Sequence, residues 1–341
     1  MLSFECDYNN GIAPKIFELM LSTNYTNQPG YGEDEYTKDA IRKIKDAIKK
    51  DDAFVSFVCG GTQANQIAIS SLLKSYEGVI GATTSHINTH EDGAIEYSGH
   101  KVIGIEEENG KIKIDALSSY LEKYHQDESK EAIVYPGMVY LSQSTELGTL
   151  YTKNELEEIR AICDKYDMLL YLDGARLAYA LVAPDNDVTL EDIASLCDAF
   201  YIGGTKCGAI IGEALVFSSS VSPKHFDAMK KQRGGMLAKG RLLAVQFDAL
   251  FTNSYYHTIG KNGMKRALRL KEIFEEKGYK FAYPVQTNQL FVIMENKKIE
   301  KLREKVRFSI WEKLDKEKSI VRFCTSWSTL EEDLEEIETI L

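Results

Sequence analysis

The chain has 341 residues, of which 44% are hydrophobic and 10% aromatic, enough apolar material for a folded core. This composition disfavours a disordered protein, and the length predicts about two domains at roughly 150 residues each. The formal net charge is −11, and an acidic surface repels phosphate backbones, so a dedicated nucleic-acid-binding function is disfavoured.

The termini and the cysteines favour a cytoplasmic enzyme. No apolar run approaches the roughly 20 residues that a membrane-spanning helix needs. Residues 1–10 carry neither the basic region nor the apolar run of a secretory signal. None of the six cysteines forms a CxxC pair, and their irregular spacing is typical of free thiols in a reducing compartment. We therefore expect a soluble, cytoplasmic α/β enzyme without disulfides.

Helical and strand patterns alternate through the first two-thirds of the chain. In the first predicted helix, Ile41, Ile44 and Ile48 share one face. The continuous apolar run at 168–172 is typical of a strand that a parallel sheet buries on both faces. The predicted helices are 37–50, 62–76, 114–125 and 155–166, with a largely helical stretch at 222–249. The predicted strands are 53–58, 78–82, 101–105, 138–143, 168–172, 199–203 and 213–217.

The last part of the chain has a different pattern. Beyond residue 250, helices mix with short strands at 291–294 and 320–325, and the sequence STLE at 328–331 resembles a capping box that opens a last helix. Strand–helix alternation implies βαβ units. We predict a large α/β domain, 1–249, with a mostly parallel sheet flanked by helices, and a small C-terminal α+β domain, 250–341.

Two short motifs follow predicted strands. Asp173 begins DGAR at 173–176, and Lys206 ends GGTK at 203–206. Each motif alone has an ordinary explanation, as a turn-forming aspartate before glycine or a glycine-rich turn with an exposed lysine. Together they are more informative, because α/β sheets bind ligands at the carboxyl ends of their strands. A pyridoxal 5'-phosphate (PLP) site needs an amine for a Schiff base and an acid against the pyridine nitrogen.

A third motif, GGTQAN at 60–65, lies between a predicted strand and a predicted helix. Backbone amides at a helix N-terminus form an anion cradle, although an ordinary turn with Thr62 as the N-cap is an equal alternative. Nucleotide-binding motifs are not supported, since GxxxxGK[ST] is absent and no GxGxxG opens an N-terminal unit.

His86 and His90 lie four residues apart, a spacing that two metal ligands on one helical face can have. The order is HxxxHE rather than HExxH, and no third ligand is evident in the sequence. We expect no metal site, and an imidazole stacked on a cofactor ring is the favoured reading of His86.

With these motifs in this order, the sequence resembles the threonine aldolase / β-eliminating lyase family of PLP enzymes, which have fold type I. The resemblance runs through nearly the whole chain, and the pair DGAR and GGTK at this spacing is specific to it. The matching segments are GYGED at 30–34, GGT at 60–62, SH at 85–86, DGAR at 173–176, GGTK at 203–206 and VRF at 321–323.

The resemblance implies how the cofactor is bound. Lys206 would form the Schiff base with PLP and later move protons, Asp173 would keep the pyridine nitrogen protonated, and His86 would stack on the ring. The residues expected at the phosphate are Gly61, Thr62 and Thr205.

The resemblance also implies a substrate site. Arg176 and Arg322 would clamp the carboxylate of the substrate, for which a guanidinium fork is well shaped. Cys6 aligns with a serine that helps bind this carboxylate in many members. Tyr31 and Lys231 resemble positions that approach the active site. In one interpretation, they approach the active site of a neighbouring subunit.

Glu146 stands where many members of the family have a histidine that contacts the β-hydroxyl of the substrate. A carboxylate can serve as a base or a hydroxyl acceptor, so we count Glu146 with Lys206 and His86 as catalytic. The substrate is open among L-threonine, L-allo-threonine and a phenylserine-like amino acid.

The expected reaction is retro-aldol cleavage to glycine and an aldehyde. Another PLP amino-acid enzyme of this fold, a β-eliminating lyase or an aminotransferase, is the alternative. A non-catalytic PLP-binding protein is disfavoured, because Lys206 and Asp173 are both present. The expected partners are an amino-acid substrate and further copies of the chain, in a homodimer or homotetramer, with no nucleic acid or membrane.

Overall fold

The structure is a computed structural model that describes residues 1–221 and 223–341. The strands are β1 (Leu2–Ser3), β2 (Phe54–Val58), β3 (Glu77–Ala82), β4 (Val102–Ile105), β5 (Glu107–Glu108), β6 (Lys111–Ile112), β7 (Tyr135–Ser142), β8 (Leu169–Asp173), β9 (Ala199–Gly203), β10 (Glu213–Phe217), β11 (Lys280–Phe281), β12 (Gln289–Glu295), β13 (Val306–Arg307), β14 (Ser309–Lys313) and β15 (Lys318–Cys324). The helices are α1 (Pro14–Ser22), α2 (Glu35–Ile48), α3 (Gly61–Leu72), α4 (His86–Thr89), α5 (Ala94–Tyr97), α6 (Ile114–Gln126), α7 (Lys153–Lys165), α8 (Leu177–Ala180), α9 (Leu190–Leu196), α10 (Phe226–Gln232), α11 (Arg241–Leu250), α12 (Tyr255–Glu276), α13 (Asn296–Leu302) and α14 (Glu331–Ile340).

The central sheet has seven strands in the order β2-β10-β9-β8-β7-β3-β4. The pairs β9–β8, β8–β7, β7–β3 and β3–β4 are parallel, whereas β10 is antiparallel to both of its neighbours, β9 and β2. The apolar strands β8, β9 and β10 are almost completely buried, as strands covered on both faces must be. The predicted α/β class with a mostly parallel sheet is confirmed.

The register of this sheet determines which residues meet at its carboxyl edge. Asp173 is the last residue of β8 and pairs with Ser142 at the end of β7. Glu213 at the start of β10 pairs with Gly203 on one side and with Val58 on the other. Therefore the turn after β9, which carries the GGTK motif, lies beside the turn from β2 into α3.

A second sheet, in the order β11-β12-β15-β14, is antiparallel and belongs to the C-terminal part of the chain. The first strand of the protein joins this region, because β1 pairs in parallel with β13. Phe4 packs against Phe323, with ring centroids 6.1 Å apart. The proposed division at residue 250 stays a prediction, and the structure adds that the first residues of the chain pack with the C-terminal elements.

The start of the last helix corrects one sequence prediction. The helix was expected to open with a capping box at 328–331, but α14 begins at Glu331 and its N-cap is Leu330. The N–H of Leu330 donates to the Asp333 carboxylate at 2.8 Å, whereas Ser328 shares a hydrogen bond with Ser326. Asp333 is thus the acidic residue that bonds back to the N-cap. It makes the bond that is typical of a capping box, but the motif starts at Leu330, two residues later than the predicted start at Ser328.

Among the described residues, no helix combines the length and the apolar character that a membrane crossing requires.

The long helix α12 packs closely on the short helix α8, and a glycine permits the contact. A Cβ atom at Gly260 would overlap the carbonyl oxygen of Ala178 and lie 3.1 Å from the Val182 side chain. Because α12 leads into the C-terminal sheet, this contact fixes that sheet relative to the central one.

We expect Gly260→Ala to lower the free energy of unfolding by about 1–3 kcal/mol, because overpacking outweighs the gain of roughly 0.5–1 kcal/mol that alanine brings in a helix. Asn262→Ala, at an exposed position of the same helix, is the matched control and should be neutral or stabilising. Urea unfolding of both variants measures the difference, and a stabilised Gly260→Ala protein would contradict the close packing.

Candidate active site

A cavity of about 250 Å³ opens at the carboxyl edge of the central sheet. Its lining joins residues from seven separate segments of the chain, which the fold brings together. The lining residues are Tyr8, Gly60, Gly61, Thr62, His86, Glu146, Asp173, Ala175, Tyr201, Thr205, Lys206 and Glu213. The structure thus gathers Lys206, Asp173, His86, Gly61, Thr62, Thr205 and Glu146 in one place.

Asp173 forms the floor of the cavity and is 4% exposed. Its Oδ2 accepts hydrogen bonds from the Tyr140 hydroxyl at 2.6 Å and from the Asn65 amide at 3.2 Å, and its Oδ1 accepts from the Ala175 N–H at 3.0 Å. A buried carboxylate is tolerated only when its oxygens have donors, and these three bonds supply them. The burial of the Tyr140 hydroxyl beside this carboxylate raises the pKa of Tyr140, which therefore remains a donor.

His86 is connected to Asp173 through two further residues. The Asn65 amide donates to Glu91 at 2.7 Å as well as to Asp173, and Glu91 contacts the Nδ1 atom of His86 at 2.8 Å. Burial alone would lower the pKa of His86, but the bond to Glu91 and the nearby charge of Glu146 outweigh it, so the pKa is raised. This chain of bonds fixes the imidazole plane beside the cavity.

Lys206 lies in a single 3-10 turn directly after β9. The Tyr179 hydroxyl donates to the Lys206 carbonyl at 2.7 Å, and the ammonium group lies 6.0 Å from the centre of the Tyr8 ring. The main chain of the lysine is therefore held, while its amine faces the cavity.

A buried carboxylate holds the residues that precede this lysine. Glu213 is 4% exposed and accepts hydrogen bonds from the Gly204 N–H and the Thr205 hydroxyl, both at 2.8 Å. Burial raises the pKa of Glu213 to about 7, against the lowering effect of these two bonds. The side chain is thus poised between its ionised and neutral forms near neutral pH.

Helix α3 begins at the cavity, and its N-terminus is suited to an anion. Its N-cap is Gly60, and the first N–H groups of a helix have no carbonyl partners within the helix. A Cβ atom at Gly61 would lie 2.9 Å from the Tyr201 hydroxyl, so a side chain there would be forced against the cavity wall. Gln63 fixes the entry to the helix, because its side chain accepts from the Cys59 N–H and donates to the Arg233 carbonyl.

Glu146 is held in the cavity wall by a tight loop after β7. The Thr145 N–H donates to the Thr149 carbonyl at 2.9 Å, and the two threonine hydroxyls are 2.7 Å apart. The Thr287 hydroxyl anchors the same loop by donating to the Gly148 carbonyl. The hydrogen-bonded loop therefore holds Glu146 in the lining of the cavity that also contains Lys206 and Asp173.

Arg176 is buried and paired within the protein. Its Nε and Nη2 atoms donate to the two carboxylate oxygens of Asp7 at 2.7 and 3.1 Å, and Asp7 also accepts from the Asn288 amide at 2.9 Å. Burial would raise the pKa of Asp7, but the charge of Arg176 lowers it to about 2. A contact of Arg176 with a substrate carboxylate stays a prediction, and it would use Nη1, the nitrogen outside this pair.

Arg322 lies on β15, outside the cavity lining, and has a different environment. Its guanidinium carbon lies 5.1 Å from the centre of the Trp311 ring, and its Nη1 is 3.4 Å from Gln289. Its Nε is buried without a hydrogen-bond partner among the described residues. The Trp311 ring stacks on His90 at 5.6 Å, and His90 stacks on His86 at 5.7 Å, so a column of flat groups links Arg322 to the cavity.

Four predicted substrate-binding residues lie outside the cavity lining, namely Arg176, Arg322, Cys6 and Tyr31. Cys6 is partly buried beside it, and burial raises the pKa of its thiol. Tyr31 is 55% exposed, and the Lys231 ammonium lies 5.1 Å from its ring centre. Their substrate-binding roles stay predictions. Within the described part of the chain, no cluster of three or more histidine, cysteine, aspartate or glutamate residues has a geometry that could hold a metal ion.

Several residues of the site were not recognised in the sequence. Asn65 belongs to the GGTQAN motif, and Glu213 is a charged residue at the start of an otherwise apolar strand, so both had a local signal. Tyr140 looks like an ordinary strand residue, and Asp7 and Glu91 act through partners 169 and 26 residues away. Only the folded chain identifies these three.

Comparison with known proteins agrees with this geometry. Residues 5–297 match the family described as beta-eliminating lyase. A low specificity L-threonine aldolase from a Pseudomonas species is 30% identical over 311 residues, covering 89% of this chain and 87% of the relative. The structure of Leishmania major threonine aldolase superimposes with a TM-score of 0.96 at 42% identity, over 100% of this chain and 98% of that one.

More distant structures show the same fold. A histidinol-phosphate aminotransferase from Clostridium acetobutylicum has a TM-score of 0.74 at 15% identity and covers 100% of this chain and 98% of its own. The predicted fold type I is thereby confirmed. The chain belongs to the threonine aldolase / β-eliminating lyase family, as the order of its motifs indicated.

Proposed function

We propose that this protein is a PLP-dependent aldehyde-lyase that cleaves an L-β-hydroxy-α-amino acid into glycine and an aldehyde. The observation that carries the proposal is the convergence of the Lys206 amine, the buried Asp173 carboxylate and the start of helix α3 on one cavity. The 42% identical Leishmania major threonine aldolase, aligned over the whole chain, supports the same reaction.

The chemistry of the cavity fits PLP. The cofactor has an aldehyde, a protonated pyridine nitrogen and a phosphate, and the cavity offers an amine, a carboxylate and helix N-terminal amides to match them. Lys206 would hold the aldehyde carbon, Asp173 the ring nitrogen, and Gly61 and Thr62 the phosphate. His86 is a flat group at the cavity wall, suited to one face of the ring. When bound, PLP withdraws electrons from the bonds at Cα of the amino acid attached to it.

Asp173 is prepared to stabilise positive charge at the pyridine nitrogen. Its two oxygens are already oriented by Tyr140, Asn65 and Ala175, so the carboxylate has no need to reorganise when it meets a cation. Hydrogen bonds through Asn65 and Glu91 connect His86 to the same carboxylate and so fix the position of its ring relative to Asp173.

Two groups remain for the substrate. Arg322 has an unsatisfied guanidinium nitrogen and a face packed on Trp311, which suits it to bind a carboxylate in a fixed plane. Glu146 is the cavity carboxylate suited to accept the proton of the β-hydroxyl as the Cα–Cβ bond breaks. Lys206 would then return a proton to Cα to give glycine.

We infer that the protein works as a homodimer or homotetramer in the cytoplasm. Six free cysteines support the location. Tyr31 and Lys231, which contact each other at the surface and are not part of the lining of their own cavity, are the residues we propose to serve the site of a neighbouring subunit.

The proposed reaction is tested by a panel of substrates. The holoenzyme should release glycine and an aldehyde from L-threonine, L-allo-threonine or phenylserine, and Lys206→Ala should abolish both the release and the yellow colour of bound PLP. Release of pyruvate and ammonia would favour β-elimination instead. Protein that never binds PLP, even after reconstitution, would falsify the proposal.

We expect Glu146→Gln to lower kcat for aldol cleavage by about 10²- to 10⁴-fold, because glutamine is similar in shape but cannot accept the hydroxyl proton. The PLP absorbance should be unchanged. Glu157→Gln, at an exposed position of α7, is the matched control and should keep full activity. An active Glu146→Gln enzyme would mean that another group takes the proton.

The two arginines should respond differently to truncation. Arg322→Ala should raise KM about 10- to 100-fold through the loss of charged hydrogen bonds, with little change in Tm. Arg176→Ala should reduce the free energy of unfolding by about 3–5 kcal/mol, because it leaves Asp7 buried and unpaired.

A pH series and a double variant check whether the Arg176–Asp7 pair stabilises the protein, as the prediction for Arg176→Ala requires. The pKa of Asp7 is lowered from 3.8 to about 2, so the stability from the pair is complete above pH 3.8 and is lost as the pH falls through about 2. Asp7→Asn combined with Arg176→Ala removes the buried charge and should be more stable than Arg176→Ala alone. Equal stability of the single and double variants would contradict the pairing.

A further inference from the structure

Glu213 creates an electrostatic conflict in the cavity. The cavity lining that holds the helix amides proposed for the phosphate, at Gly61 and Thr62, also contains this buried carboxylate. The sheet register confirms the proximity, because Glu213 pairs with Val58, two residues before the Gly60 N-cap. An ionised carboxylate and a phosphate repel each other strongly at low dielectric, so one of them must be neutralised.

The hydrogen bonds of Glu213 indicate what protonation of its carboxylate would change at the Thr205 hydroxyl. In the structure, the Thr205 hydroxyl donates to Glu213 at 2.8 Å and accepts from the Gly212 N–H at 3.2 Å, so its hydrogen is occupied. If Glu213 carries a proton, its own O–H can donate to Thr205, whose hydrogen is then free for another acceptor. The bond from the Gly204 N–H to the other oxygen of Glu213 is kept in both states.

We propose that Glu213 takes up a proton when the phosphate of PLP is bound, and that this proton turns the Thr205 hydroxyl from a donor to Glu213 into a donor to the phosphate. The proton comes from solvent and stays on Glu213, with no covalent bond made or broken. Glu213 is in this view a positioning residue, and the inference rests on the proposed function.

The surroundings of Glu213 support a protonation change at this residue. Its charged neighbours are Lys206, which lowers the pKa of Glu213, and Asp173, which raises it, while burial has the largest effect and brings it to about 7. The other titratable groups that face it lie on β8, on β9, after β9 and on α12, and their raised pKa values keep them neutral near pH 7. They are Tyr171, Tyr201, Cys207 and Tyr256.

Binding of PLP and of pyridoxal, which lacks the phosphate, tests the inference in the full-length protein between pH 6 and 9. In the wild-type protein, the affinity for PLP relative to pyridoxal should fall with increasing pH above about 7. In Glu213→Gln, the ratio of the PLP affinity to the pyridoxal affinity should fall less steeply with pH, by up to a factor of ten per pH unit relative to wild type. The reason is that glutamine is neutral at every pH and presents the same donor and acceptor as the protonated acid. Calorimetry in two buffers should show up to one proton fewer taken up per PLP by the variant.

Two further variants make the outcome specific. Thr205→Val should weaken PLP binding about 10-fold or more while changing pyridoxal binding much less, since of the two ligands only PLP has a phosphate that can accept from this hydroxyl. Glu157→Gln, which neutralises an exposed carboxylate outside the cavity lining, is the matched control and should keep the wild-type pH dependence. The inference is overturned if Glu213→Gln and wild-type protein take up equal numbers of protons, or if Glu157→Gln has the same effect. Failure of the wild-type protein to bind PLP would overturn the proposed function and the inference together. Equal proton uptake by two proteins that both bind PLP would overturn the inference alone.

Discussion

The buried carboxylate of Asp173 is the constraint around which the site is built. An ionised group without partners in the interior would cost several kcal/mol, so the fold must bring donors to it. Each donor comes from a different element, with Tyr140 on β7, Asn65 on α3 and Ala175 on the turn after β8. The same bonds therefore satisfy the charge and hold together the three segments that form the floor of the cavity.

Much of this arrangement could be predicted from local sequence. The apolar run at 168–172 indicates a central parallel strand, and because such strands end at one edge, Asp173 and Lys206 are expected near each other. Asp7 and Trp311 could not be predicted in this way. Asp7 lies on an irregular N-terminal segment and pairs with Arg176, and Trp311 lies on an edge strand of the second sheet, where its pattern resembles an ordinary surface position.

The net charge of −11 makes the local balance of charge in the site important. Three buried acidic side chains near the site each have a different environment. Asp7 is ionised against Arg176, Glu91 contacts His86, and Glu213 is brought by burial to a pKa of about 7. An anionic ligand is then attracted by the remaining positive groups, which are Lys206, Arg322 and the start of helix α3. A few fixed contacts decide the local potential, because nearby charges interact strongly in a region of low dielectric, whereas distant surface charges are screened by water and salt.

The site is divided between two parts of the fold that meet different chemical demands. Groups suited to the cofactor lie on the central sheet, where Asp173 and Glu213 are supported by buried hydrogen bonds. Arg322 arrives from β15 and is linked to the cavity by the column of Trp311, His90 and His86. Because β1 pairs with β13, the N-terminal segment that carries Asp7 and Tyr8 is tied to the same C-terminal region. Because Asp173 and Glu213 take their hydrogen bonds from the central part of the fold, we expect substitutions in the second sheet to alter which amino acid is accepted more than they alter these two carboxylates.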